Sequence, residues 1–121
     1  YGDPDLREVS PARLARYFTA GPSGRAVRPQ LRARVRFEEG NLLTGRFETG
    51  FDLIICRNVV IYFSDEAKDQ LNRRFSASLK PGGFFFIGGT ETIMDPKSAG
   101  FERMHSSFYR KVATPAQRLA A

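Results

Sequence analysis

One apolar stretch dominates the pattern of hydrophobic and polar positions. Residues 51–56 form an apolar run that ends abruptly at Arg57 and Asn58, and apolar and aromatic residues resume over 59–63. A continuous run of this kind, rich in Ile, predicts a strand buried on both faces, as in parallel sheets covered by helices. In open α/β sheets, ligands bind just beyond the carboxyl ends of the strands. Arg57 and Asn58 are therefore the first candidates for functional residues.

A helix and a second buried strand follow this run. Ser64 is a predicted helix cap, and two acidic residues come next, where the helix dipole favours them. Apolar residues at a spacing of four then predict a stripe that faces the core: Ala67, Leu71, Phe75 and Leu79. Residues 80–83, Lys-Pro-Gly-Gly, end the helix, and 84–87 are again continuously apolar. Residues 51–87 thus predict a βαβ unit with parallel strands.

The amino-terminal third predicts smaller elements. Ser10-Pro11 is a typical helix start, and the turn cluster 21–24 separates residues 17–19 from residues 25–27, which together predict a hairpin. Residues 35–43 predict a strand ending near Asn41, whose amide is suited to the edge of a ligand. A simple turn is the alternative at this position, because Gly-Asn is also a turn dipeptide.

The carboxyl-terminal third predicts a closing antiparallel hairpin. Its strands are residues 101–104 and residues 108–112, with the only histidine, His105, at the turn as a structural or solvent-facing residue. Residues 114–121 are predicted to be a frayed tail.

Arginine is concentrated near the amino terminus. Residues 13–36 contain seven arginines and no acidic residue, and alternation with apolar residues over 32–37 predicts an amphipathic strand with one basic face. Docking to an acidic protein partner is one interpretation, and a solvated face is the other. Aromatic residues do not alternate with these arginines as a base-stacking platform requires, which disfavours nucleic acid. The arginines assigned to partner binding are Arg25, Arg28, Arg32 and Arg34.

Composition narrows the class of protein. The 121 residues suit one domain or part of one, and the net charge of +6 suits an acidic partner. A single cysteine, Cys56, excludes an intrachain disulfide and a cysteine-based zinc site, and no metal site is predicted. Its apolar neighbours predict a buried thiol, which suits a reducing compartment such as the cytoplasm. No apolar run is long enough to span a membrane. The absence of an initial Met suggests a fragment or a processed chain.

Several motifs together resemble one family. Residues 51–63, FDLIICRNVVIYF, resemble the FDxIxCRNVxIYF signature of the chemotaxis receptor methyltransferases, called CheR. Three further motifs agree in order and spacing: Ser-Pro-x-x-Leu-x-x-Tyr-Phe at 10–18, Asn-Leu-Leu at 41–43 and Leu-Lys-Pro-Gly-Gly at 79–83. The likeness covers roughly residues 5–112, and a match in several parts is far more specific than one short motif.

The resemblance implies a reaction and a set of site residues. The reaction is methyl transfer from S-adenosylmethionine to receptor glutamates, which forms γ-methyl esters and S-adenosylhomocysteine. The resemblance implies that Asn41 and Leu42 contact the adenine region of the cofactor and that Arg57 and Asn58 line the cofactor site. Tyr62 is implied to act in catalysis by placing the acceptor carboxylate, and methyl-accepting chemotaxis receptors are the implied partners.

The resemblance also implies a fold. We expect an α/β chain, the carboxyl half of a Rossmann-like S-adenosylmethionine-dependent methyltransferase fold, with a small inserted antiparallel β-subdomain and a closing β-hairpin. Residues 1–112 are expected to be this part, with the β-subdomain at about 17–37, and residues 113–121 a tail. The family's amino-terminal helical domain and first cofactor-binding strand are missing from the sequence. We therefore expect the isolated chain to be inactive and to dimerise through an uncovered edge strand; the alternative function is a non-catalytic, arginine-rich module that binds acidic receptor regions.

Overall fold

The computed structural model describes residues 1–88 and 91–112. The chain forms two compact units, Tyr1–Glu39 and Gly40–Ala121. Within the described residues the helices are α1 (Pro11–Tyr17), α2 (Pro29–Arg32) and α3 (Asp65–Ser78). The strands are β1 (Phe18–Gly21), β2 (Gly24–Val27), β3 (Phe51–Ile55), β4 (Leu79–Phe86), β5 (Phe101–His105) and β6 (Phe108–Lys111). Asp3–Leu6 and Val60–Tyr62 form short 3-10 turns.

The first unit contains the predicted helix and hairpin. The hydroxyl of Ser10 accepts the backbone N–H of Arg13 at 3.3 Å, which caps α1. Strands β1 and β2 then pair antiparallel, with Phe18 opposite Val27. The hairpin prediction is confirmed.

The predicted strands over 32–37 and 35–43 are wrong. Arg32 is the last residue of the short helix α2, and no helix or strand is formed between residues 33 and 50. A strand is stable only where its backbone N–H and C=O groups find a partner. None of the described strands pairs with this segment, so its alternating pattern has no sheet to join.

The second unit is built on a four-stranded sheet. The strand order is β3-β4-β6-β5; β3 and β4 run parallel, and the other pairs are antiparallel. The βαβ unit and the closing hairpin are therefore both confirmed. This sheet and its helix make the unit α/β, as the carboxyl half of a Rossmann-like fold requires.

The core lies between α3 and the sheet. Ser64 caps α3 by accepting the N–H of Ala67 at 3.2 Å. Of the predicted stripe, Leu71, Phe75 and Leu79 are buried. Phe75 packs against Phe85 of β4 in a tilted ring pair with centroids 5.0 Å apart, in a cluster that includes the most deeply buried side chains. Those are Tyr109, Phe85, Phe101 and Leu71.

Strand β3 is not buried on both faces, so that prediction is wrong. Leu53 is 49% exposed and Ile55 61% exposed, whereas Ile54 between them packs against the core. The reason is that, within the described residues, the core covers only one face of the sheet, the face that carries Ile54. Leu53 lies directly opposite Phe84 of β4, which is also 42% exposed, so the uncovered apolar face continues across the sheet. The predicted edge strand with an uncovered face is confirmed.

The expected tail at 113–121 lies outside the described residues. His105 ends β5 at the turn of the closing hairpin, as expected. Within residues 1–88 and 91–112, no helix is long and apolar enough to cross a membrane.

Candidate functional site

The carboxyl end of β3 presents Arg57 and Asn58 to solvent. Sheet pairing continues one residue past the strand, where the N–H of Cys56 donates to the carbonyl of Phe86 at 3.0 Å. The guanidinium of Arg57 then lies over the Phe86 ring, 5.7 Å from its centroid, a cation–π geometry. Arg57 and Asn58 are both exposed. The two residues stand where ligands bind in open α/β sheets, as the sequence predicted.

Asn58 lies at a bend in the chain. Its φ is +57°, the left-handed region, in which Asn is the best tolerated residue after Gly. The 3-10 turn Val60–Tyr62 follows directly. Tyr62 on this turn is 86% exposed. Arg57, Asn58 and Tyr62 are therefore three exposed polar residues that follow one strand closely in the chain.

Asn41 and Leu42 lie in a separate turn. The Asn41 Oδ1 accepts the N–H groups of Leu43 at 2.9 Å and Thr44 at 3.2 Å, and the Asn41 carbonyl accepts Gly45 N–H at 2.7 Å. The turn interpretation of Asn41 is thus confirmed. The side-chain NH2 of Asn41 makes no hydrogen bond within the described part of the chain, so it remains available to a ligand. Leu42 packs against the hydrophobic core.

A cavity of about 650 Å³ opens on the α3 side of the same strand ends. Its lining includes Cys56, Ile87, the first two turns of α3 and residues 91–95. Both carboxylate oxygens of Glu91 are buried and have no hydrogen-bond partner among the residues the structure describes. Burial, and then the nearby Glu91 carboxylate, raise the pKa of the Cys56 thiol. Cys56 therefore stays protonated at neutral pH and is unsuited to act as a nucleophile.

The arginines assigned to partner binding lie in the first unit, and they differ in character. Arg32 and Arg34 are exposed. Arg28 is half-buried, and its Nη2 donates to the carbonyl of Ala15 at 3.2 Å, which ties the hairpin to α1. Arg25 is half-buried on β2 and joins the amino-terminal residue through two backbone hydrogen bonds. Arg32 and Arg34 are therefore the two of the four that are fully exposed.

Metal ligands are not grouped in residues 1–88 and 91–112, since no cluster of three His, Cys, Asp or Glu side chains occurs there.

A family model, "CheR methyltransferase, SAM binding domain", matches residues 1–109. The chain belongs to the CheR family. A chemotaxis protein methyltransferase of Listeria monocytogenes is 39% identical over 111 residues, which are 92% of this chain and 42% of the relative. Chemotaxis protein methyltransferase 1 of Pseudomonas aeruginosa is 48% identical over 89 residues, 72% of this chain and 32% of the relative. The chain thus spans between a third and two fifths of the length of these curated relatives.

Membership of the CheR family confirms the resemblance drawn from the motifs. S-adenosylmethionine is accordingly the cofactor of this class of domain. Sequence reasoning did not find Glu91 or the hydroxyl of Tyr109, which accepts the Ile93 N–H at 3.0 Å. The surroundings of both groups are formed by segments that are distant in the sequence and meet only in the folded chain. The only local signal was the position of Glu91 just after the end of a buried strand.

Proposed function

We propose that this chain takes part in the transfer of a methyl group from S-adenosylmethionine to glutamate side chains of chemotaxis receptors, a protein-glutamate O-methyltransferase reaction. The observation that carries the proposal is the exposed group Arg57, Asn58 and Tyr62 at the carboxyl end of β3, in a chain that matches the CheR model over residues 1–109. Because the relatives are about two to three times longer, the activity, receptor substrates and cytoplasmic location of the whole protein are all part of the proposal.

The polar groups of the site fit the cofactor. S-adenosylmethionine carries a carboxylate, ribose hydroxyls and the acceptor atoms of an adenine edge. The Arg57 guanidinium is suited to a carboxylate, and the Asn58 carboxamide is suited to hydroxyls. The unpaired NH2 of Asn41 is suited to a ring acceptor, and the apolar side chain of Leu42 lies next to it in the chain. We assign these four residues to cofactor binding.

Tyr62 is assigned to catalysis. Bound S-adenosylmethionine supplies a methyl group that its sulfonium has already activated, so the protein needs to position the acceptor rather than to remove a proton. The Tyr62 hydroxyl would donate a hydrogen bond to the glutamate carboxylate and so help to position it as the methyl acceptor. The exposure of Tyr62, 86%, supports this role because a protein substrate has to reach it.

The test is methyl transfer by a chimera in which residues 1–112 replace the matching segment of the Listeria monocytogenes relative. Transfer of radiolabelled methyl to a receptor cytoplasmic fragment is expected. Tyr62→Phe should lower kcat at least about tenfold and leave cofactor affinity unchanged, since it removes one hydrogen bond made in the transition state. Tyr17→Phe, in the first unit, is the matched control. Full activity of Tyr62→Phe would remove Tyr62 from the mechanism.

The isolated chain is proposed to bind cofactor weakly and to be inactive. Strand β3 is the edge of the sheet, so only one side of the proposed cofactor site has neighbouring strands. Isothermal titration with S-adenosylmethionine is expected to give no binding in the micromolar range. Micromolar binding by a monomer would contradict this proposal. The open edge and uncovered apolar face also support a homodimer of the chain.

A second candidate function rests on the basic first unit. Arg32 and Arg34 are exposed and have no acidic neighbour within residues 13–36. We infer that they attract acidic cytoplasmic regions of receptors, in which case the chain acts as a binding module even without catalysis. The pair Arg32→Glu and Arg34→Glu should reduce receptor pull-down. Arg46→Glu with Lys97→Glu makes the same charge change outside the first unit and serves as the control. An equal loss of receptor pull-down in both double variants would show that net charge, and not Arg32 and Arg34 themselves, determines binding.

A further inference from the structure

We propose that Arg74 of α3 is a positioning residue for the turn that carries Asn41 and Leu42. Its guanidinium donates two hydrogen bonds to backbone carbonyls of that turn, one through Nη1 to Leu42 and one through Nη2 to Gly45. The same guanidinium lies over the Phe47 ring, 4.2 Å from its centroid. One side chain of a regular helix thus holds three points of a segment that has no regular structure of its own.

The turn depends on such an anchor. It lies within residues 33–50, where no helix or strand is formed. Its internal hydrogen bonds use the N–H groups of Leu43, Thr44 and Gly45, all of which point to Asn41. These bonds fix the shape of the turn but do not fix its position on the unit. The hydrogen bonds that tie the turn to α3 come from Arg74.

Only an arginine suits this role. The guanidinium is planar, carries donors in a rigid fork, and can face two carbonyls with its edge while its plane covers an aromatic ring. An ammonium group can reach one carbonyl but cannot reproduce the fork. Phe47 in turn stacks on Phe75 of the core, with centroids 5.4 Å apart, so the anchor extends into the buried cluster.

The neighbouring Arg73 offers a matched comparison. It lies on the same helix, and its side chain is 56% exposed. Its Nε pairs with Asp69 at 3.0 Å, one helical turn earlier, so its hydrogen bonding within the described residues is to its own helix and not to the turn. Such a pair contributes little to stability. Substitutions at Arg73 and Arg74 therefore remove the same charge from adjacent positions with different structural consequences.

The role in cofactor binding rests on the proposed function, in which Asn41 and Leu42 contact the adenine region. If Arg74 sets the position of the turn, its loss lowers cofactor affinity without removing any group that touches the cofactor. Because hydrogen bonds to charged groups contribute strongly to stability, we expect cofactor affinity to fall by roughly ten- to hundredfold when Arg74 is replaced.

The experiment is NMR spectroscopy on the 121-residue chain and its variants Arg74→Lys, Arg74→Met and Arg73→Met. The first readout is hydrogen exchange of the Leu43 and Thr44 amides without ligand. Both Arg74 variants should lose at least about tenfold in protection there, since each removes the fork of charged hydrogen bonds. Arg73→Met and the amides of α3 and β4 should be unchanged. Equal protection at the turn in all variants, or a loss spread over α3 and β4, would overturn the proposal.

The second readout is titration with S-adenosylhomocysteine up to millimolar concentration, followed through the Asn41 side-chain NH2 signals. We expect chemical-shift changes of the Asn41 NH2 signals in the parent chain and in Arg73→Met. In the Arg74 variants the Kd for S-adenosylhomocysteine should be at least about tenfold higher, because the hydrogen bonds from Arg74 to the turn are lost. Parent-like affinity in the Arg74 variants would overturn the positioning role. Absence of any shift in the parent chain would instead count against the assignment of Asn41 to the cofactor, while the exchange data would still decide whether Arg74 holds the turn.

Discussion

The backbone N–H of Ile93 donates to the hydroxyl of Tyr109 at 3.0 Å, and the ring of Tyr109 is completely buried. The Thr92 hydroxyl and the Arg103 guanidinium meet the same oxygen at 3.3 and 3.1 Å. Burial alone would raise the pKa of this phenol, but the hydrogen bonds from Ile93, Thr92 and Arg103 bring the pKa of Tyr109 below its usual value. One oxygen on β6 therefore fastens the start of the 91–95 segment, which lines the cavity.

Tyr109→Phe should destabilise the chain by about 1–3 kcal/mol, because it leaves the buried Ile93 N–H without an acceptor. Urea denaturation followed by circular dichroism measures the change. Tyr62→Phe is the matched control, since Tyr62 is 86% exposed and its loss should alter stability by less than about 0.5 kcal/mol. Equal stability of the two variants would show that the hydroxyl of Tyr109 does not fasten the segment.

Substitutions at Asn58 should separate its backbone role from its side-chain role. At a φ of +57°, Asn58→Ala is expected to cost about 1 kcal/mol of stability, whereas Asn58→Gly should cost little. Both remove the carboxamide, so both should weaken cofactor binding in the chimera with the Listeria monocytogenes relative. Thermal denaturation and calorimetric titration of the two variants test this. Unchanged binding by Asn58→Gly would exclude the carboxamide from the cofactor site.

Cys56 should make stability fall at alkaline pH. Its pKa is raised in the folded state, so its contribution is fully present below the unfolded-state pKa, about 8.5, and is lost as the pH rises through the folded-state pKa. Urea titrations between about pH 7 and pH 10 should therefore show a steeper decline for the parent chain than for Cys56→Ala, which lacks the thiol. Identical slopes would mean that the thiol titrates normally. Alkylation by iodoacetamide at pH 8 should be slow until the chain is unfolded.

The uncovered face of the sheet should drive self-association. Ile55 on the edge strand is 61% exposed, and Leu53 and Phe84 extend the same apolar face. Ile55→Lys is expected to shift the chain from dimer to monomer in sedimentation equilibrium, because a charge at a sheet edge disfavours pairing. Met94→Lys introduces the same charge at a residue that is 92% exposed and outside the sheet, and it should leave the dimer intact. A parent chain that sediments as a monomer at high concentration would exclude the dimer.

The sequence by itself determined the local elements and the family. Ser10 and Ser64 mark the starts of their helices, because a cap depends only on the next three residues. The order strand, helix, strand over 51–87 followed from apolar runs bounded by turn residues. The position of Arg57 and Asn58 at a strand end followed from the same pattern, since the carboxyl end of a strand is readable wherever an apolar run stops.

Only the tertiary structure decided what depends on neighbours. An apolar run has the same pattern whether one or both faces of its strand are covered, so the exposure of Leu53 and Ile55 became visible only in the fold, where the core of the described residues covers one face of the sheet. Alternation over 32–37 predicted a strand that had no partner to pair with. The hydrogen bond from Arg74 to the Leu42 carbonyl joins residues 32 positions apart, and no local sequence pattern predicts it. Burial, pairing and long-range hydrogen bonds are properties of the folded chain, and they determine which of the motif residues face solvent and which side chains hold them there.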